Sequence, residues 1–263
     1  MTGKTKYSEY LSFWQDVGTT FPSLKGATST GYYFECERML CEQFFPATPG
    51  LLVLKSDLWD EAKNSEILLW MAERGARVAG VDIAYDIVHE ARNVLRHQKP
   101  LLAVSDVRQL PFRSNAFDLI YSMGTIEHFE EYKVAVRELH RVLKPSGLAI
   151  VGVPNKLDPF LRPLLVHLLN RFGQYAYGME KSFTQGELRR LLESSGFQAI
   201  GRSGILFMPG WLRMLDLWCS VHAKPLARLT GALVSPFAWA YRKFPFCRRH
   251  GYLIAWSVRK PSA

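Results

Sequence analysis

The sequence predicts an α/β protein, a doubly wound and mostly parallel sheet with helices on both faces. Three observations predict it. From about residue 50 onward, short apolar runs alternate with amphipathic stretches, the order of parallel strands joined by crossover helices. The runs are unbroken rather than alternating, as strands buried on both faces require. The helical stretches end on Pro145-Ser146-Gly147 and on Gly196, just before the next apolar run.

The elements follow in chain order. Residues 7–45 carry a helical, aromatic pattern: Tyr7, Tyr10, Phe13 and Trp14, then Tyr32, Tyr33, Phe34, Met39, Leu40 and Phe44. Gly18 to Ser29, rich in Gly, Ser, Thr and Pro, reads as the loop between them. Leu51 to Leu54 is a first strand, too short for a helix. Asn64 is placed to cap a helix carrying Ile67, Trp70 and Met71 on one face. Arg77 to Ile83 is a second strand, Asp86 to Arg96 a helix, Leu101 to Val104 a third strand and Phe117 to Ser122 a fourth. Ala135, Leu139, Val142 and Leu143 share one helix face, and Leu148 to Val153 is a fifth strand. Thr184 to Ser195 is amphipathic, with Leu188, Leu191 and Leu192 together. Phe197 to Phe207 and Tyr252 to Val258 have strand composition and complete the sheet. The segment between these two is far longer than the 2–5 residues or so of an ordinary hairpin loop, and is read as an insertion.

Charge is distributed unevenly along the chain. It holds 33 Lys and Arg against 24 Asp and Glu, for a net charge of +9. Residues 1–200 hold 23 of each sign, whereas residues 201–263 hold 10 basic side chains and one acid, Asp216. The same 63 residues carry four of the seven Trp, so the excess charge and the aromatic content coincide. A neutral body with a basic, aromatic tail implies two tasks, and the tail's partner is expected to be anionic or interfacial.

Other classes are excluded or disfavoured. With 48% apolar and 22% charged residues the composition is globular. No run reaches the roughly 20 apolar residues of a spanning helix. The longest candidate, Leu229 to Ala240, is interrupted by Pro236. The N-terminal MTGKTKYSEY lacks the apolar centre of a signal peptide. Cys36, Cys41, Cys219 and Cys247 form no C-x-x-C pair, so no metal site is expected and a reduced, cytoplasmic compartment is. A dinucleotide-binding reading needs G-x-G-x-x-G after the first strand, and none is present.

In an open α/β sheet, ligands bind beyond the carboxyl ends of the strands, near the point where strand order reverses. Asp82, at the end of the second strand, is placed to accept both hydroxyls of a ribose, with Ile83 beside it. Asp106, after the third strand, can accept from an exocyclic adenine amine while Val107 and Leu110 pack on the ring. Met123, Gly124 and Thr125 follow the fourth strand, then Glu127 and His128; Asn155 follows the fifth.

Four segments then carry a resemblance: ERGARVAGVDI, DVRQLPFRSNAFDLIYSMGTIEHF, RVLKPSGLAIVGVPN and SFTQGELRRLLESSGF. Across roughly residues 50–205 plus the last strand, the chain resembles the class I S-adenosylmethionine-dependent methyltransferases. The resemblance implies their seven-stranded sheet, with Asp82 on the cofactor ribose, Asp106 by the adenine, and Met123 to Thr125 on the methionine and substrate side. It implies three regions: an N-terminal helical lid (1–46), a cofactor-binding core (47–207 and 250–263) and a basic, aromatic helical insertion (208–249). The family's first loop is glycine-rich, so that backbone approaches the cofactor closely. Here Leu54 to Asn64 contains no glycine and is about four residues longer than the family's common pattern. Either this loop takes another route and still holds the cofactor, with Lys55 on its carboxylate and Ser56, Asp57, Asp60 or Glu61 near its ammonium group, or binding is lost.

Methyl transfer chiefly requires alignment, and a base only where the acceptor must lose a proton. His128 is the candidate base, with Glu127 orienting it or acting alone. N-P-P-Y and D-P-P-Y, common in the family's amine methylases, are replaced by Ser122-Met123-Gly124-Thr125, which favours an oxygen or carbon acceptor. Tyr32 and Tyr33, from the lid, and Asn155 are candidate acceptor contacts. In the insertion, Trp211, Trp218 and Trp239 lie among Arg213, Lys224, Arg228, Arg242 and Lys243, the composition of an element at a membrane interface. The expected acceptor is small, hydrophobic or lipid-linked, with peripheral contact to an anionic membrane. RNA methylation and a scaffold that no longer binds cofactor are the alternatives, and oligomeric state is left open.

Overall fold

The computed structural model describes residues 3–262, with side chains from Tyr7 onward. Seven strands form one sheet: β1 (Leu52–Lys55), β2 (Arg77–Asp82), β3 (Leu101–Val104), β4 (Phe117–Met123), β5 (Leu143–Pro154), β6 (Gln198–Ile205) and β7 (Leu253–Arg259). Their spatial order is β3-β2-β1-β4-β5-β7-β6. All pairs from β3 across to β5 are parallel, and β7 lies antiparallel between β5 and β6. Strand order reverses between β1 and β4, which places the expected ligand crevice at their carboxyl ends.

The pleat sorts the strands onto two cores. Val53, Leu119 and Tyr121 face one cluster, whereas Leu54 and Ile120 face the other. On the first face lie α2 (Thr28–Phe44), α4 (Ile67–Glu73) and α5 (Tyr85–Val94). On the second lie α6 (Tyr132–Val142) and α8 (Gln185–Ser194), burying Val136, Leu139, Leu188 and Leu192. Helix α8 begins with a capping box in which Thr184 and Glu187 satisfy each other's backbone N–H.

The N-terminal region divides between two roles. Helix α1 (Gly3–Thr20) packs on α5 at the cavity rim. Helix α2 is part of the core, with Cys36 and Leu40 fully buried, and packs on β6. The insertion folds as α9 (Gly210–His222) and α10 (Lys224–Lys243), which pack on each other and on α2. Asp216, the single acid of the last 63 residues, ties these pieces together. It is fully buried and accepts from Ser29 N (2.7 Å) and Thr230 Oγ1 (2.7 Å). A further helix, α7 (Arg162–Arg171), follows β5 and contacts α9.

Four local expectations are corrected. The stretch after β1 is not an open loop but contains a short helix, α3 (Trp59–Lys63). Asn64 does not cap α4: Glu66 occupies the cap position in the left-handed region, and the Asn64 amide bonds to Asp60 and Thr30. Pro236 does not interrupt its run, because α10 continues through it. A proline has no N–H to offer the carbonyl of Ala232, one turn back. Strand β5 also begins earlier than expected, at Leu143, taking in Pro145 to Gly147 with a register shift opposite Phe117 and Leu119. Among the described residues, no helix is long and apolar enough to cross a membrane.

Candidate active site

A cavity of about 460 Å³ lies beyond the carboxyl ends of β1, β2, β3 and β4. Its volume falls within the roughly 300–1,000 Å³ of ligand pockets. Helix α1 contributes Tyr10 and Trp14 to one wall, and α9 contributes Met214, Leu217 and Trp218 to another. The strand ends bring Ser56, Asp57, Asp82, Ile83, Asp106, Val107, Met123, Gly124, Glu127 and His128 together around it. Tyr33 joins them from α2.

Lys55 is the first departure from expectation. Its side chain is fully buried and does not line the cavity. Nζ lies 2.8 Å from Asp57 Oδ1, 2.9 Å from Asp60 Oδ2 and 3.5 Å from Glu61 Oε2. Its charge is therefore held within the protein by the acids of the following loop and α3. These acids outnumber it. Burial outweighs the attraction of Lys55 and raises the Asp57 carboxyl above the usual range, and lifts Glu61 to about 7. Glu37 of α2 closes the network behind them, accepting from Tyr121 Oη at 2.8 Å and from Ser65 Oγ.

The Leu54–Asn64 segment thus takes another route over the strand ends. Leu58 N donates to Asp82 Oδ2 (2.9 Å), and the Leu58 side chain lies over Gly80 of β2, where a Cβ would collide with it. Asp82 Oδ1 accepts from Ala84 N (2.9 Å). Each carboxylate oxygen so keeps a lone pair for a further donor. Burial, partly offset by these two N–H groups, pushes Asp82 up to about 6.

Asp106 is more fully engaged. Arg108 spans both its oxygens, with Nη2 2.6 Å from Oδ2 and Nε 3.0 Å from Oδ1, and the Arg108 backbone N–H adds a third bond. The guanidinium in turn lies over the Phe129 and Tyr10 rings. Sequence reading missed Arg108, although its spacing two residues after Asp106 was the available signal.

His128 and Glu127 sit in a 3-10 turn after β4. His128 Nδ1 lies 2.9 Å from the Met179 carbonyl, which only accepts, so Nδ1 carries the proton and Nε2 keeps its lone pair. The ring meets Trp14 edge-on at 4.9 Å. Burial depresses its pKa below the usual 6.5, so the imidazole is neutral at pH 7. Glu127 Oε1 is 3.9 Å from His128 Nε2, too far for a hydrogen bond; Met179 and Trp14, not Glu127, orient the ring. Glu127 is buried, its Oε2 has no partner among the described residues, and desolvation followed by the Glu180 charge holds its carboxyl well above the usual range.

Two expected acceptor contacts are structural instead. Tyr32 is buried outside the cavity, its hydroxyl accepting from Phe207 N (3.0 Å) and its ring against Tyr241. Asn155 is buried beneath the site, donating to the Gly251 carbonyl (2.9 Å) and accepting from Leu157 N (3.0 Å). The cavity wall also includes residues with no sequence pattern of their own. Arg162 pairs with Glu180 through both guanidinium ends, and Tyr175 joins the pair. Tyr177 stacks near Phe21 and Trp59.

The donor set fits S-adenosylmethionine. Six carboxylates line the cavity; Asp57 and Asp60 share Lys55, Asp106 is held by Arg108 and Glu180 by Arg162, which leaves Asp82 and Glu127 without a Lys or Arg partner among the described residues. Such a wall suits a ligand carrying cationic sulfonium and ammonium groups and a diol. The orphaned Glu127 Oε2 and the free lone pairs of Asp82 provide acceptors for them. Glycine backbone is absent where the family has it, and side chains of α3 and its flanks stand in its place.

A family model described as a methyltransferase domain matches residues 63–151, from α3 to the middle of β5. A probable S-adenosylmethionine-dependent methyltransferase of Mycolicibacterium smegmatis is 24% identical over 194 residues, covering 72% of this chain and 68% of that protein. Residues 63–151 thus match a methyltransferase domain, and the fold is that of the class I S-adenosylmethionine-dependent methyltransferases. A ubiquinone biosynthesis O-methyltransferase of Idiomarina loihiensis is 26% identical over 153 residues, covering 53% of the chain and 60% of that protein. The chain thus spans about three fifths to two thirds of these relatives' length. The crystal structure of the 4+2 cyclase SpnF superposes with a TM-score of 0.62 at 17% identity, over 98% of this chain and 95% of that one. That likeness shows the methyltransferase fold alone, on which more than one chemistry is built. Among the described residues, no cluster of His, Cys, Asp or Glu could hold a metal ion, and all four cysteines are free and buried.

Proposed function

We propose that this methyltransferase acts on an oxygen or carbon atom of a small, hydrophobic or lipid-linked acceptor. The observation that supports it best is the polarity gradient of one cavity. Carboxylates crowd the β1–β2–β3 end, His128 stands between, and Leu165, Val166, Met214, Leu217, Trp218 and Val221 form the far wall. S-adenosylmethionine supplies an electrophilic methyl group already bound to a good leaving group. The chain's own residues have three tasks. Asp82 and Asp106 hold the adenosine end, and Asp57, Ser56 and Glu127 receive the cationic end. The cover formed by α1 and α9 excludes water and aligns the acceptor, a contribution worth on the order of 7–11 kcal/mol when complete. For a hydroxyl or an acidic carbon, His128 Nε2 accepts the proton that the acceptor loses, adding about 10²–10⁴-fold.

The insertion supports delivery from a lipid surface. Trp211, Met214, Leu215 and Trp218 of α9 are exposed, as are Leu226, Leu229, Leu233 and Trp239 of α10. Met214 and Trp218 belong both to this surface and to the cavity wall, so the two are continuous. Lys224, Arg228, Lys243 and Arg249 have no carboxylate partner among the described residues, and each basic group near an anionic surface is worth about 1 kcal/mol.

Calorimetric titration tests the cofactor half. Parent protein binds S-adenosylhomocysteine and Asp82→Ala loses at least about tenfold in affinity; silence of the parent at millimolar ligand would sink the reading. Flotation with vesicles tests the delivery half. Binding to phosphatidylglycerol-containing but not to neutral vesicles is expected, and recovery from the soluble fraction with both excludes it.

A further inference from the structure

Arg213, on α9, is a cation of the cavity wall with no carboxylate partner among the described residues. Its guanidinium lies 4.9 Å from the Tyr33 ring centroid and 5.8 Å from that of Tyr252. Nη1 is buried without a hydrogen-bond partner among the described residues. The fully buried cations are matched, Lys55 by Asp57, Asp60 and Glu61, Lys63 by Glu90, and Arg162 by Glu180, whereas Arg248, half-buried with an unpartnered Nε, stands outside the cavity lining. Two aromatic rings fix the plane of the fork, and a buried guanidinium edge left unpaired is costly unless a ligand completes it. From the acceptor reading above, on which this step rests, we infer that Arg213 anchors an oxyanion of the acceptor, a carboxylate or phosphate group.

Of the two rings beside Arg213, Tyr33 also lies within electrostatic reach of Asp57 and Asp60, whereas Tyr252 belongs to the far side of the sheet. Tyr252 immediately precedes β7, which lies three strands from β1 and four from β2, where Asp82 sits. At about 4.8 Å per strand these are lateral offsets of roughly 14 and 19 Å. The neighbours of Arg213 on α9, Met214, Leu217 and Trp218, are apolar and line the same cavity. The acceptor class is therefore an anionic amphiphile: its charged group meets Arg213 and its hydrocarbon runs along α9 towards the exposed apolar face.

Decanoate, decyl phosphate and decanol serve as probes, titrated into the parent and into Arg213→Met and Arg213→Lys, with and without S-adenosylhomocysteine. Decanoate or decyl phosphate is expected to bind the parent at least tenfold tighter than decanol. The comparison of the two anions decides between carboxylate and phosphate. Arg213→Met removes that preference, and Arg213→Lys, which keeps charge but not the fork, retains part of it. S-adenosylhomocysteine affinity should stay within about twofold in both variants, which also shows that they fold. Equal binding of the three probes to the parent, or no anion binding at millimolar concentration, overturns the proposal. So does a loss of S-adenosylhomocysteine affinity in Arg213→Met with unchanged affinity for 5′-methylthioadenosine, which lacks the amino-acid part. That result would assign Arg213 to the cofactor's own carboxylate and leave the methyltransferase reading standing. If the parent binds the anions through Arg213 but binds no S-adenosylhomocysteine, the methyltransferase reading fails and the anion site remains.

Discussion

Replacing Lys55 by Met tests the charged network that stands where this family ordinarily has glycine. Methionine preserves most of the length of the buried stem and removes only the ammonium group. Three carboxylates then lose their shared partner: Asp57 at 2.8 Å, Asp60 at 2.9 Å and Glu61 at 3.5 Å. Breaking one side of a buried ion pair costs about 3–5 kcal/mol, because the partner charge stays behind uncompensated. At roughly 2–4 °C per kcal/mol for a chain of this size, the melting temperature should fall by about 6–20 °C at pH 8. The acids can escape part of this by taking up protons. Asp57 and Glu61 already have raised pKa values in the folded protein, and losing Lys55 raises them further. A carboxyl with a raised folded pKa favours the folded state below its unfolded pKa, and that contribution is lost as pH rises through the folded value. Parent and variant should therefore converge as pH falls from 8 towards 5, with most of the change around and above pH 7. Thermal unfolding by circular dichroism across that range measures it. A drop of under about 1 kcal/mol at pH 8, or one independent of pH, would refute the burial argument.

Three further outcomes follow from the site. His128→Ala should lower kcat by about 10²–10⁴-fold on an acceptor that loses a proton, and the parent's acid limb in kcat should lie below pH 6.5, because burial depresses the imidazole pKa; full turnover in the variant excludes the base role. Affinity of the parent for S-adenosylhomocysteine should weaken as pH falls through about 6, where Asp82 takes up a proton and loses an acceptor lone pair, whereas Asp82→Asn should be weaker and flat over that range; parallel pH profiles in calorimetry would contradict this. Asp216→Ala leaves Ser29 N without its acceptor inside the junction of α2, α9 and α10, while Thr230 Oγ1 keeps only the Ala227 carbonyl at 3.1 Å. A loss of about 1–3 kcal/mol is expected in denaturant unfolding, and an unchanged midpoint would show that the insertion is held by its apolar contacts alone.

The sheet was legible because its central strands are apolar runs buried on both faces, to which the half-exposed edge strands β3 and β6 add by their place in the alternation. The alternation of strands and helices places all seven strands, with Asp82, Asp106 and His128 beyond their ends. What was not legible arises from how the chain folds back on itself, over short and long separations alike. Nothing local indicates that Lys55 turns inward, because that depends on Asp57, Asp60 and Glu61 folding back as α3. The same holds for Tyr32 and Asn155, whose polar atoms are taken up by Phe207 and Gly251, 175 and 96 residues away in the chain. Helix α10 was obscured for the opposite reason. Pro236 is a strong local signal, but the packing of Val234, Ala238 and Tyr241 against the core outweighs one missing hydrogen bond.

The uneven charge separates into two parts once the chain is folded. Of the ten basic residues after position 200, Arg213 alone lines the cavity. Arg242 is paired with Glu35, and Lys260 is folded onto Asn115 and two backbone carbonyls. Most of the rest, Lys224, Arg228, Lys243 and Arg249 among them, present charge outward beside exposed Trp, Leu and Phe side chains. One charge facing inward and several facing outward are what an enzyme needs if its acceptor is an anion held at an anionic surface. The outward charges raise the local concentration of protein at the surface but cannot choose between lipids, since that attraction decays within about a Debye length and reads no shape. The inward fork, fixed between two rings, can choose. Raising the salt from 0.05 to 0.5 M should therefore weaken vesicle binding sharply while leaving the anion preference at Arg213 largely intact, because the buried contact is screened far less.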